Sequence, residues 1–154
     1  CHCDFQGFID FHRYHRPRNT VMTMMTFRTS TPATCGILEL DKKGIVQKFH
    51  EKVKNPPGNL ANAAIYLLEP EVFDVLQDRP NVSDFDIEII PNLLGKIATW
   101  ENTNIHRDIG TLDSLLEAQN DPIPILDWPN PDAWQRDFEK NKIYKKLKIQ
   151  DSTR

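Results

Sequence analysis

The sequence predicts an α/β domain, and three observations carry that prediction. Residues 21–27, VMTMMTF, set threonines among apolar side chains in the manner of a strand. Two further strand-like runs, CGILELD and GIVQKFHEK, meet at Asp41-Lys42-Lys43-Gly44, where glycine supplies the positive φ of a hairpin turn. Segments with capping residues and helical apolar spacing stand before and after these runs. Such a mixture, with a hairpin inserted, belongs to neither a bundle nor a sandwich.

Taken in order, Asp4 caps a helix running to about Arg16, with Phe5, Phe8, Ile9 and His12 on one face, and Pro17 stops it. His12 and His15 stand three apart and read as surface or interface histidines rather than ligands. Residues 29–34 form a loop around Pro32, and Cys35, in an apolar run, reads as a small core residue. After the hairpin the chain bends through Pro56-Pro57-Gly58 and resumes as ANAAIYLL, a strand expected to be fully buried. PEVFDVLQ is a short helix with Pro70 near its first turn. Ser83 or Asp84 caps the next, DIEIIPNLLGKI, which Pro91 kinks or divides. Residues 97–105 offer a short strand pair, followed by HRDIG. TLDSLLEAQN is a helix with Thr111 as its cap and Leu112, Leu115 and Leu116 as its stripe. The expected division is a domain over residues 1–121, then a proline-rich strap and a charged C-terminal helix over 122–154.

Composition narrows the function. At 154 residues the chain can bury a real core, and 39% apolar with 27% charged residues is ordinary for a soluble domain. No apolar run is long enough to span a membrane, and the first residues lack a signal-peptide pattern. A net charge of -3 speaks against a general nucleic-acid binder. That charge is uneven: residues 135–154 hold seven Lys or Arg against three Asp or Glu. Three cysteines form no disulfide framework and suit a reducing, cytoplasmic setting, while Cys1-His2-Cys3 makes a poor tetrahedral metal site. Walker, GxGxxG, GxSxG, CxxC and HExxH motifs are all absent from these residues.

Two constellations remain. Glu51-Lys52 ends a strand with Asn59 across the bend. A carboxylate accepts hydrogen bonds from sugar hydroxyls, an ammonium suits a phosphate, and an amide can serve either. The same residues can equally be charges flanking a turn. In His106-Arg107-Asp108-Ile109-Gly110-Thr111, an aspartate ends a strand before a glycine turn and a helix start. There it faces the crevice where α/β ligands bind, and a hard oxygen ligand in that place suits Mg²⁺. A helix-capping role for Asp108 or Thr111 is the alternative.

In order and together, FIDFHRYHRP, VMTMMTF, CGILELDKKGIVQKFHEKVKNPPGNLANAAIYLLEPEVF, SDFDIEIIPNLLG and HRDIGTLDSLLEAQN resemble the C-terminal part of the sugar-1-phosphate nucleotidyltransferases. The closing DIGT and its leucine-rich helix look most similar to mannose- or heptose-1-phosphate guanylyltransferase-like members. The resemblance covers residues 4 to about 120 and implies a Rossmann-like three-layer α/β/α fold. It also implies attack of a sugar-1-phosphate oxygen on the α-phosphorus of a nucleoside triphosphate, with GTP as the leaning, and release of pyrophosphate. Mg²⁺ is the implied cofactor, and a homo-oligomer stays open. Residue by residue, the resemblance gives Asp108 the metal, Glu51 the sugar hydroxyls, Lys52 the sugar phosphate and Asn59 an amide of the sugar pocket.

The departures are specific. Val53 stands where a proline usually follows the Glu-Lys pair, and Ala64 stands where the next strand usually carries glycine. The Gly-rich triphosphate loop has no counterpart, and Asp4 comes too late to be the first metal-binding aspartate. A sheet without its first strands would expose edges, so the chain reads as a fragment of a longer enzyme. The competing expectation is a non-catalytic sugar-phosphate-binding module of the same fold.

Overall fold

In the computed structural model, residues 2–77, 81–122 and 140 are described. The chain divides into two compact units, Cys1–Asp121 and Pro122–Arg154. The strap and charged helix expected over 122–154 lie outside the described residues apart from Pro122 and Lys140.

The first unit is built on a five-stranded sheet in the order β3-β2-β4-β1-β5. Its strands are β1 (Met22–Arg28), β2 (Gly36–Leu40), β3 (Val46–Glu51), β4 (Leu60–Leu68) and β5 (Ile97–Glu101). β1 runs antiparallel to β4 and parallel to β5, so the sheet is mixed. β1 lies between β4 and β5 and is buried on both faces, which is why its sequence carries apolar or small residues at every position from Met22 to Thr26. Met22 and Met24 point into one core cluster with Leu38, Val46, Ile90 and Ile97, while Met25 points into another with Phe8 and Ala63.

The hairpin forms as the sequence predicts. Gly44 has φ +75°, and the Asp41 carboxylate accepts from the N–H groups of Lys43 and Ile45, closing the turn. β2 meets β4 through the single pair Ile37↔Ala61, while Ile45 bridges to Ala98 of β5. The hairpin therefore touches both sides of the β4-β1-β5 group, and the sheet curls around the larger core cluster.

Helix α1 (Phe5–Asp10) is capped by Asp4, whose carboxylate accepts from Gly7 N–H at 2.8 Å, and a π-helical turn continues it over Phe11–His15. Phe8 is buried, but Phe5 is 52% exposed and does not share the buried face expected of it. His12 is no surface residue. Its Nε2 lies 3.0 Å from Glu69 at the end of β4, and Nδ1 lies 2.8 Å from Thr23 Oγ1. The carboxylate that His12 meets is remote in sequence and arrives through the sheet, because Glu69 N–H bonds to Val21 O beside β1.

Helices α2 (Glu71–Gln77) and α3 (Phe85–Glu88) follow, and Asp84 caps α3 by accepting from Asp86 and Ile87 N–H. A 3₁₀ turn over Ile90–Leu93 takes Pro91 at its start, so the proline divides the segment as expected. Three expectations are corrected. β4 is not fully buried: Ala64 is exposed and Ile65 to Leu68 are half-buried. Cys35 is half-buried at the rim of the site rather than in the core. Residues 97–105 give one strand, not a pair. Buried Asn102 ends it by turning its Oδ1 to Asn104 N–H and its Nδ2 to His2 O, an alternative to the sheet ladder.

Candidate functional site

A cavity of about 430 Å³ opens at the carboxyl ends of β1 and β3, lined by Glu51, Lys52, Asn62, Ala64, Asp86 and Asp108 among others. Its position follows from the topology. Antiparallel pairing brings the start of β4 to the end of β1, and β2 pairs Gly36 with Glu51. The loop after β5 then folds back over this edge.

That loop is firmly held. The His106 ring sits 4.2 Å from the Phe27 ring, centroid to centroid. Arg107 grips Asp121 with two hydrogen bonds of 2.8 Å and reaches Glu117 at 2.5 Å. Such a bidentate fork is the strong arrangement for a guanidinium, and it commits Arg107 to structure. Asp108, next in sequence, is left facing the cavity. It does not end a strand, since β5 stops at Glu101, and it does not cap α4 (Leu112–Ala118). Thr111 does that, in a capping box with Ser114. Asp108 Oδ1 accepts from Gly110 N–H at 3.0 Å, which fixes the carboxylate in the loop.

Glu51 and Lys52 are the centre of the site. Glu51 Oε2 is buried and has no hydrogen-bond partner among the described residues, a costly state for a carboxylate oxygen. Oε1 lies 3.2 Å from Lys52 Nζ. The hydrogen bond to Glu51, then its charge, raises the Lys52 pKa, and Asp84 and Asp86 act in the same direction. Lys52 itself has φ +47°, in the left-handed region that non-glycine residues seldom adopt. Room for Glu51 depends on Gly36: a Cβ there would stand 2.7 Å from Oε2 and 2.5 Å from the Phe49 ring.

Glu51, Lys52 and Asp108 thus share one cavity, and Asn59 does not join them. Asn59 is exposed, and its Oδ1 accepts from Arg28 Nη1 at 3.0 Å, while Arg28 Nε bonds to Glu101. The amide in the cavity is Asn62, three residues further on. Asn62 Nδ2 donates to Tyr66 OH at 2.7 Å and to Asp86 Oδ1 at 3.2 Å, and Oδ1 accepts from Ala64 N–H. Tyr66 OH donates to Asp86 Oδ1 at 2.8 Å, and burial, with Asp86 adding to it, pushes the phenol pKa well above its usual value.

Sequence reasoning missed Asn62, Tyr66 and Asp86. The available signal was Ala64. Between Thr26↔Asn62 and Met24↔Tyr66, β1 spends one residue and β4 three, and this bulge throws Ala64 into φ +55°. The glycine-like position noticed in NAAIY marks a bulge, and bulges re-aim the side chains beside them.

The donor set can also be judged for a metal. Among the described residues no group of three or more His, Cys, Asp or Glu could hold an ion. The Asp108 carboxylate at this cavity still fits Mg²⁺, which takes one or two carboxylates and fills its remaining positions with phosphate oxygens and water.

The chain is similar to known proteins in sequence and in fold. The profile of the Nucleotidyl transferase family matches residues 1–123. A glucose-1-phosphate adenylyltransferase of Clostridium beijerinckii is 30% identical over 128 residues, covering 78% of this chain and 33% of that protein. A mannose-1-phosphate guanylyltransferase of Mycobacterium tuberculosis is 30% identical over 124 residues, with the same two coverages. The chain therefore spans about a third of the length of these curated relatives. A Bacillus anthracis crystal structure assigned as a glucose-1-phosphate thymidylyltransferase, solved with sucrose, superposes with a TM-score of 0.61. It shares 19% identity, covers 76% of this chain and is itself covered to 48%, a likeness of fold.

Proposed function

Since this chain belongs to the Nucleotidyl transferase family, we propose that it is the sugar-phosphate-binding part of a sugar-1-phosphate nucleotidyltransferase. The observation that carries the reading is Glu51 Oε2, a buried acceptor without a donor, beside a cationic Lys52 in the cavity that Asp108 lines. A sugar hydroxyl supplies the missing donor. Lys52 holds the phosphate as a point charge, and its bond to Glu51 keeps the ammonium aimed across the pocket mouth. Together they align the sugar 1-phosphate so that a phosphate oxygen faces the α-phosphorus of a nucleoside triphosphate. Alignment and charge neutralisation, with no protein nucleophile, are what this reaction needs.

Asp108 is the residue of this chain that would hold Mg²⁺, which would supply charge neutralisation to the reacting phosphates. The relatives carry both adenylyl and guanylyl names, so the sequence's leaning to GTP gives way here to a nucleoside triphosphate of open base. A cytoplasmic setting belongs to the same reading. These 154 residues contain no Gly-rich triphosphate loop, and turnover is expected only from the whole enzyme.

Pyrophosphate release tests the proposal. In the whole protein Asp108→Ala is expected to abolish turnover while leaving the circular dichroism and melting temperature near wild type. Near-normal turnover in that variant would sink the assignment.

A further inference from the structure

Resting on the sugar-phosphate reading above, we propose that Asp86 is a specificity-determining residue of this pocket. Its second carboxylate oxygen accepts a hydrogen bond from a ring hydroxyl of the sugar 1-phosphate and, together with Glu51, turns away sugars that carry a carboxylate.

Asp86 lies in the first turn of α3, half-buried, and lines the same cavity as Glu51 and Lys52. Its Oδ1 is fully engaged by Tyr66 OH at 2.8 Å and Asn62 Nδ2 at 3.2 Å. Among the described residues nothing donates to Oδ2. A carboxylate offers about four acceptor sites, and two donors on one oxygen leave the other to the cavity.

The carboxylate is also held still. Asn62 cannot turn its amide over, because Oδ1 is taken by Ala64 N–H, and a flip would set that oxygen against the Asp86 carboxylate. Tyr66 is fixed by stacking on Phe85, with ring centroids 5.1 Å apart and planes 28° from parallel. The bulge at Ala64 thus orients Asn62, Asn62 and Tyr66 orient Asp86, and the group presented to the ligand is a fixed acceptor.

With Glu51, and with Asp108 reserved for the metal, the pocket offers the sugar two carboxylate acceptors and one ammonium. Two acceptors call for a ligand that presents two donors, as neutral or amino sugars do. The Lys52 ammonium is matched by the phosphate, Mg²⁺ at Asp108 would serve the phosphate groups, and Arg107, the other cation at the cavity, is taken up by Asp121 and Glu117. A hexuronic acid 1-phosphate would meet both carboxylates and be repelled. Sites built to hydrogen-bond a hydroxyl discriminate strongly, because their polar groups go unpaired with the wrong ligand.

The test is steady-state kinetics of the whole enzyme with neutral hexose 1-phosphates and hexuronic acid 1-phosphates. Asp86→Asn, nearly isosteric, is expected to raise KM for the neutral hexose 1-phosphate by about tenfold to a hundredfold, the worth of a hydrogen bond to a charged group. KM for the nucleotide should stay within about twofold, and the preference over hexuronic acid 1-phosphate should shrink. Tyr66→Phe removes one donor from Asp86 and should give a smaller rise of the same kind. An unchanged hexose 1-phosphate KM in Asp86→Asn overturns the proposal, as does an equal rise for the nucleotide. If Asp86→Asn does not fold, Tyr66→Phe and the wild type decide. Comparable wild-type turnover of hexuronic and neutral hexose 1-phosphates then overturns it. Absence of turnover with every sugar 1-phosphate would instead remove the functional reading itself, and this inference with it.

Discussion

Gly36 and Glu51 are paired across β2 and β3, and one missing methyl group decides whether Glu51 can serve the pocket. In Gly36→Ala the new Cβ would meet the Phe49 ring at 2.5 Å and Glu51 Oε2 at 2.7 Å, closer than side chains approach without a shift. Overpacking of this kind costs about 1–3 kcal/mol, and the Glu51 carboxylate is displaced as well. The expected result is a lower urea midpoint together with weaker sugar-phosphate affinity, measured by denaturation and by calorimetric titration. Unchanged affinity in a folded Gly36→Ala variant would show that the position of Glu51 is not what the ligand reads. At this scale the sequence was informative where chemistry and conformation coincide in one residue. Glu51, Lys52 and Asp108 could be named from type and place in the chain. Asn62 could not, because a carboxamide in a strand looks like any half-buried polar residue until the bulge at Ala64 re-aims it. Asn59, beside the bend, was the more conspicuous amide, yet its partner is Arg28.

The helices and strands were legible where local signals were strong: the Asp4 and Thr111 caps, the glycine of the hairpin, the proline dividing α3 from its 3₁₀ turn. They were least legible where a distant partner decides. The π-helical turn after α1 is tied to the end of β4 through Glu69, which accepts from both Arg16 and His12. A carboxylate cannot donate, so His12 Nε2 carries the hydrogen and, in the neutral ring, Nδ1 accepts from the Thr23 hydroxyl. Burial lowers the His12 pKa, Arg16 adds to this, and Glu69 opposes without outweighing them. His106 is also lowered, first by burial. A folded pKa below the unfolded value means that the unfolded chain binds protons more readily. The stability from these neutral rings is therefore complete above the free imidazole value near 6.5 and is lost as pH falls through the lowered folded values. Urea midpoints are expected to fall between about pH 7.5 and pH 5. In His12→Gln that slope should flatten in part, His106 supplying the rest. A slope unaltered by the substitution would mean that His12 does not titrate in this range.

Across the whole unit, the mixed sheet and its split core explain where the site lies. β1, buried on both faces, carries the two clusters, and its carboxyl end meets the ends of β3 and the start of β4. The α/β class was readable from the run of patterns, but the curl of the hairpin onto β5 was not, because it rests on the single bridge Ile45↔Ala98 between segments remote in sequence. At this junction Glu51 and Lys52 are proposed to form a sugar-phosphate pocket. It is tested most directly by calorimetric titration of the whole protein with a hexose 1-phosphate and with the free hexose, in wild type, Glu51→Gln and Lys52→Ala. Tight binding of the phosphate ester alone is expected, weakened about tenfold or more in each variant, the worth of a charge-assisted hydrogen bond. Equal affinity in all three proteins, or no preference for the phosphate ester in the wild type, would contradict it.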